Sequence, residues 1–530
     1  MLKKTILCFV AIVIFCVPAL ANNMAVSSVS LEAGSSGKRN IVFNVAWDNS
    51  WFIAGAPSAT ANWDAAWVFA KYSVYSGGVW SAWKHCKLDP TAGNHTLPGG
   101  TPASPQLAVG VTGSYGMGAF LYRSVAATGS IAWTSAKILW DYGADSVADG
   151  AVIKIKLFAL EMVYIPAGTF YIGDPNGAVT GNFKWQDGTI GAPQITSSLS
   201  NAVNTVDNSY DDAQLEGTGI RIDGDGGLDN DANGTIDNAS FPTGYNAFYM
   251  MKYEVTQQEY AEFLNTLTGL QQGNRVDAGL HYNAYRNFIK QTSSSPAYFG
   301  VDASADAGTT TAADITKLNK TTDGKWIACN YLSWMDQAAF ADWSGLRPFT
   351  ELEFEKAARG AQSPVAGEYA WGNTTISAAT GPTNSGAINE KSALATANCV
   401  YNGSISGPIR VGGIAANSDG TRARSGAGYY GVMELSGDLW ERTVTVGNAT
   451  GRLFTGTAGD GTLSTNGHAT NTDWPGVSSG EVTGATGSGF RGGNWLDDSP
   501  FARVADRSGA SYGGSSRNSA DGARLARTSP

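Results

Sequence analysis

At 530 residues, with 66 glycines and only 15% charged residues, the chain is long enough for two or three domains and has the make-up of a loop-rich, β-containing protein. A formal net charge of -10 at pH 7, without basic clusters, argues against nucleic acid and against an anionic membrane surface as partners.

The chain opens with Lys3-Lys4, an apolar run from Ile6 to Val17, then Pro18 and Ala19-Leu20-Ala21. These are the basic, apolar and small-residue zones of a secretory signal peptide, residues 1–21, cleaved after Ala21. The run is too short to span a bilayer comfortably, and bulky Phe15 disfavours a lipoprotein reading through Cys16. No later stretch is apolar enough to cross a membrane. The expectation is therefore an exported chain, secreted, periplasmic or at the cell surface, with no membrane span. Export leaves Cys86, Cys329 and Cys399, which allow at most one bridge and exclude a disulfide scaffold.

Residues 22–158 read as an all-β, sandwich-like domain. Ile41–Trp47, Ala66–Tyr72 and Ile131–Trp133 are short runs of aromatic and aliphatic residues, and Val152–Phe158 alternates apolar and basic residues as a half-buried strand should. Gly/Pro turns such as Leu97-Pro98-Gly99-Gly100 separate them. The tryptophans of these runs fit either core packing or a sugar-binding platform, with packing favoured.

A second domain, 159–530, begins with a strand, a turn and a second strand over Met162–Gly173. A polar insertion follows at about 174–245. Helical spacing of Tyr260, Phe263, Leu264 and Leu267 predicts a helix over Gln257–Leu267, with Thr256 and Glu259 as a capping box. A second helix is predicted at about Asp336–Trp343 and a third over Glu351–Arg359, capped by Thr350.

Taken in order, Met162–Gly173, Tyr253–Thr256, Asn330–Trp334, Leu346–Gly360, Tyr369–Gly372, Tyr430–Glu441 and Arg491–Trp495 resemble the sulfatase-modifying-factor domain. This is the formylglycine-generating-enzyme fold, related to C-type lectins. The resemblance covers about 161–527 apart from insertions. It implies a compact, loop-rich α+β domain and structural calcium, with Asn398 (beside the Cys399 carbonyl) and Glu441 as candidate ligands.

The family's oxidases carry a copper-binding cysteine pair just after the glycine-glycine-aromatic turn, where soft thiolates hold Cu(I). Here Trp495 is followed by Leu496, Asp497, Asp498, Ser499, Pro500, Phe501, Ala502 and Arg503, so no copper is expected there. A formylglycine-generating oxidase, or an accessory acting on sulfatase-like peptides, is the alternative reading. The four histidines likewise lack the spacing of an iron triad.

The tail instead resembles a branch of this fold, the bacterial variable proteins diversified by retroelements. The resemblance implies a scaffold fixed by Phe490–Trp495 and a variable region at 494–524, although Asp521-Gly522-Ala523-Arg524 departs from the branch's usual Gly-Phe-Arg. Asp497, Asp498, Ser499, Phe501, Ser511, Tyr512, Ser515, Ser516, Asn518 and Ser519 would then form the contact face for an unknown protein or glycan ligand at a cell surface. Phe501 and Tyr512 are its natural anchors, since rigid aromatics give large contact area at low entropic cost. The plainer alternative is a Ser/Gly-rich terminal loop.

One metal site is suggested by spacing alone. Asp229, Asp231, Asn233 and Asp237 stand at positions one, three, five and nine of a calcium-loop pattern, with Gly234 at six and Ile236 at eight. Ser240 takes the twelfth position, so the bidentate ligand is missing, and an acidic solvated turn is the alternative.

Overall fold

The computed structural model of the chain describes residues 13–14, 24–55, 61–177, 179, 182–183, 191–198, 228, 236–276, 281–292, 297–306, 312–417 and 420–530. Nearly all of the expected signal peptide, much of the polar insertion, and Asp229, Asp231 and Asn233 lie outside the described residues.

Two long strands form the spine. Asn62–Ser76 and Val152–Ile165 run antiparallel from Tyr75 opposite Val152 to Trp63 opposite Tyr164. Their side chains alternate between two cores. Ala66, Val68, Ala70, Ile153, Ile155 and Leu157 face one, while Trp67, Phe69, Phe158, Leu160 and Met162 face the other. On the front side, Lys38–Ile53 and Tyr115–Arg123 pair successive parts of Asn62–Ser76. Ala25–Ala33 and Ala127–Asp141 flank Lys38–Ile53, and Pro105–Thr112 joins Tyr115–Arg123. On the other side, Val152–Ile165 continues to Phe248–Met251, which pairs with Ala526–Thr528. The pairing thus makes one branched sheet and does not by itself separate two stacked ones. Val152–Ile165 also passes unbroken through position 158, where the composition changes.

Trp47, Trp67 and Trp133 are 1%, 0% and 1% exposed, so these three pack the core and offer no platform. The alternating face of Val152–Phe158 differs from the expectation of a solvated side. Lys154 lies over the Trp80 ring, and Lys156 is buried and paired with Glu262 at 3.3 Å. Aliphatic stems cover the sheet while the ammonium of Lys156 reaches a carboxylate brought by a helix.

That helix is Gln257–Leu264. Thr256 accepts from the Glu259 N–H, and Glu259 accepts from the Thr256 N–H at 2.8 Å. It stops short of Leu267 because Asn265 leaves to pair both ways with Phe299 of the neighbouring strand. A short helix, Gly269–Arg275, follows unpredicted; the second predicted helix, Trp334–Ser344, starts earlier than expected because Ser333 and Asp336 form its capping box, and Gly345 ends it in the left-handed region. The third spans Glu351–Arg359 with Thr350 as cap. Long connections with little regular structure fill most of the rest, giving a loop-rich α+β architecture. Among the described residues no helix is long and apolar enough to cross a membrane. Cys86, Cys329 and Cys399 are all buried and free, and burial pushes each thiol well above its ordinary pKa.

Candidate functional site

The tail is built on a strand pair, Trp440–Val444 with Ser488–Arg491, joined at its start by Asp521–Gly522. Close approach dictates the glycines here: a Cβ on Gly489 would stand 1.6 Å from the Ala510 carbonyl oxygen. Gly492 and Gly493 hold φ of 95° and 72°, turning the chain from Arg491 to buried Asn494 and Trp495.

Arginines then fasten the tail to acids contributed by the rest of the domain. Arg491 reaches Glu351 at 3.1 Å and Glu355 at 2.5 Å, and Arg507 reaches Glu351 at 2.6 Å, all fully buried. Burial alone would raise the Glu351 pKa, but Arg507 and then Arg491 outweigh it and hold the carboxyl below its ordinary value. Arg517 chelates Asp336, the cap partner of helix Trp334–Ser344, at 2.6 and 2.8 Å. Arg524 pairs with Glu441 at 2.6 Å and donates to the carbonyls of Met251, Lys252 and Met433. Burial opposes its charge, yet Glu441, with Glu254 and Glu434 behind it, raises its pKa. Arg527 donates to the Val111 carbonyl of the front strands at 2.9 Å.

Between these anchors the backbone is held through its carbonyls. Arg442 donates to Gly514 and Ser516, the Tyr331 N–H to Asn518, and Asn330 and the Trp495 indole to Ser519. The Trp440 N–H takes Ala520, and Leu332 takes Asp521. None of these bonds uses a side chain of residues 514–520.

All ten predicted contact residues consequently reach solvent. Asp498, Phe501, Tyr512, Ser515, Ser516 and Asn518 are exposed; Asp497, Ser499, Ser511 and Ser519 are half-buried. The short 3-10 turn Ser499–Ala502 lifts Phe501 to the surface. A row of rings crosses this face: Phe501 to Trp440 at 6.2 Å, Trp440 to Phe490 at 5.9 Å, and Phe490 to Tyr512 at 5.7 Å. The outer members are 36% and 55% exposed, and Leu496, at 55%, adds an apolar edge. Asp497 is partly committed to the scaffold, since its carboxylate accepts from Asn494 at 2.6 Å and from the Trp440 indole at 3.1 Å. Trp440 and the anchoring arginines escape a reading of the tail alone. Trp440 lies in the earlier Gly437–Glu441 motif, and arginines in a Ser/Gly-rich stretch read as solvated.

The candidate calcium ligands Asn398 and Glu441 are both buried and each already has partners within the chain. The Asn398 amide accepts from the Ser377 N–H and donates to the Thr375 and Ala423 carbonyls, which uses both of its ends. Glu441 holds the buried Arg524 guanidinium through Oε1, while its Oε2 is buried without a hydrogen-bond partner among the described residues. Of the spaced loop's candidate ligands, only Asp237 is described; its N–H donates to the Leu228 carbonyl at 2.7 Å, and Leu228 and Ile236 are buried. Cys329 and Cys399 lie in separate apolar cores, and the core around Cys399 also takes in Ala502 and Val504.

No curated protein matches the chain. Among solved structures, it is similar to Treponema denticola variable protein 1 at 14% identity, over 70% of this chain and 96% of that one, with a TM-score of 0.30. Residues 156–529 match the sulfatase-modifying factor enzyme 1-like domain, the span over which the capped helices, the glycine turn and the anchored tail occur. The chain belongs to the sulfatase-modifying factor enzyme 1-like family.

Proposed function

We propose that this is an exported, non-catalytic binding protein whose lectin-like second domain presents residues after Trp495 as a replaceable contact face for a protein or glycan ligand at a cell surface. One observation carries the reading: the segment 514–520 is fixed by scaffold donors to its carbonyls and by the Arg517 side chain on Asp336, an arrangement that does not call on the side chains of Ser515, Ser516 and Ser519 to reach the scaffold. Side-chain chemistry there can change while the backbone stays in place, as a diversified surface requires. Aromatic anchors Phe501 and Tyr512 amid Ser and Asn match the composition of adaptable paratopes.

The test is a double variant, Phe501→Ala with Tyr512→Ala, assayed for binding to intact cells or an extract of their surface glycoproteins. Binding should fall at least about tenfold with an unchanged melting temperature. Unchanged binding would leave the plain terminal-loop reading standing. Incubation with copper and a cysteine-containing peptide separates the oxidase alternative, for which turnover would overturn a binding-only role. Sequencing the neighbouring DNA tests diversification: a reverse transcriptase beside a near-copy of the tail, altered at adenines, is the expected finding.

Calcium is proposed above all for the Asp229–Asp237 loop, where the oxygen spacing and the buried Ile236 at position eight support it. Calcium should raise the melting temperature, and Asp229→Asn with Asp231→Asn should abolish that rise. An equal rise in the variant would rule the loop out.

A further inference from the structure

Away from the tail, a cavity of about 610 Å³ opens where the front strands meet the second domain, and no tail residue lines it. Trp51, at the end of Lys38–Ile53, forms one wall. Its indole donates to the Asn62 amide oxygen at 2.6 Å. Its ring lies against Gly431, where φ is 89° and a Cβ would stand 2.9 Å from the ring. The tryptophan is therefore fixed in place by contacts from both parts of the chain.

The other walls are cationic and phenolic. Lys252 is paired with Glu161 at 2.7 Å and stands 4.8 Å over the Trp51 ring. Arg422 donates to the carbonyls of Ala358, Ala370 and Ala427. Arg410 has a buried Nε without a hydrogen-bond partner, and among the described residues its guanidinium joins no ion pair. No hydrogen bond from the Tyr253 or Tyr430 hydroxyl occurs among the described residues, although both side chains line the cavity.

Among the described residues no carboxylate lines the cavity. The nearest acids lie behind the wall and have other partners. Glu161 holds Lys252, Glu434 accepts from the Gly412 N–H at 2.6 Å and feels the charges of Arg524 and Arg410 without pairing with the latter, and Glu390 accepts from the backbone N–H of Arg410. A guanidinium whose buried Nε has no acceptor is unfavourable, and its planar fork matches a carboxylate. A ring face beside it suits the C–H face of a pyranose, and the volume falls within the usual range for small-ligand sites.

We propose that this cavity binds a carboxylated sugar, a uronic or sialic acid unit. Its carboxylate would lie on Arg410 and the tyrosine hydroxyls, and its C–H face on Trp51. The site is independent of the contact face on the tail.

Isothermal titration of the mature chain with D-glucuronate, N-acetylneuraminate and D-glucose tests this. At least one acid should bind at about millimolar affinity, as expected for a ligand of that size, with no binding of glucose. Arg410→Gln should weaken the acid at least about tenfold, and so should Tyr430→Phe if the arginine variant is unstable. The Phe501→Ala, Tyr512→Ala variant should bind the acid normally, which separates this site from the tail. Absence of saturable binding by either acid, equal binding of glucose, or unaltered affinity in a folded Arg410→Gln protein would overturn the proposal.

Discussion

Arg507 and Arg491 converge on Glu351 from positions 156 and 140 residues further along the chain. Removing one partner from such a cluster strands a charge in the core. Arg507→Ala should therefore lower the unfolding free energy by about 3–5 kcal/mol, measured by chemical denaturation. A loss under about 1 kcal/mol would mean that the cluster does not hold the tail. By contrast, Ser515→Asn and Ser516→Tyr should each change stability by less than about 0.5 kcal/mol. At this scale the sequence exposes the free positions more clearly than the fixed ones. Small polar residues and lone aromatics after a glycine turn are visible in the tail itself. Whether an arginine is solvated or buried depends on acids that the fold delivers from far upstream.

Helix boundaries were legible where a local rule sets them. Thr256 with Glu259, and Thr350, are sequence-local caps, and each caps its helix in the structure. The early end of Gln257–Leu264 was not legible, because Asn265 pairs with Phe299 across a gap of 34 residues. Thr350 has two duties: besides capping, its hydroxyl donates to the Pro242 carbonyl at 2.8 Å. Thr350→Ala should thus cost about 1–2 kcal/mol, at the upper end for a lost cap, while Thr350→Ser should recover most of it. Equal losses for both variants would show that the methyl group matters rather than the hydroxyl. The same contrast explains Lys154 and Lys156. Alternation predicts their strand correctly, but no periodicity says that a helix will cover its polar face.

For the whole molecule, buried acids set the response to pH. Burial, ahead of all other causes, pushes Glu259, Asp342 and Glu434 up to about 7 and Asp438 to about 8. The unfolded chain releases these protons near pH 4, so the folded state holds more protons between about pH 4 and 7. Stability should fall as pH rises through that window. Lys71 and Lys356, lowered by burial to about 7, act oppositely above neutrality, where the unfolded chain holds the extra protons and stability recovers with pH. The denaturation midpoint should accordingly be higher at pH 5.5 than at pH 7.5. A flat or rising profile between those values would contradict the assignment. The continuity of the sheet was the part of the fold least open to sequence reading, since a change in composition near 158 looks the same whether a strand ends there or runs through.

That unbroken strand has a mechanical consequence. Separate domains on a flexible tether let a gripping surface swivel, and a pull on it is absorbed by the tether. Here Val152–Ile165 belongs to both halves, and Arg527 fastens the far end of the tail to the Val111 carbonyl of the front sheet. Load applied at the aromatic row would pass as shear along paired strands, with no joint to bend. Whatever the front strands are fastened to, the aromatic row faces a set direction from it, so reach and aim come from the length of the sheet and not from a linker.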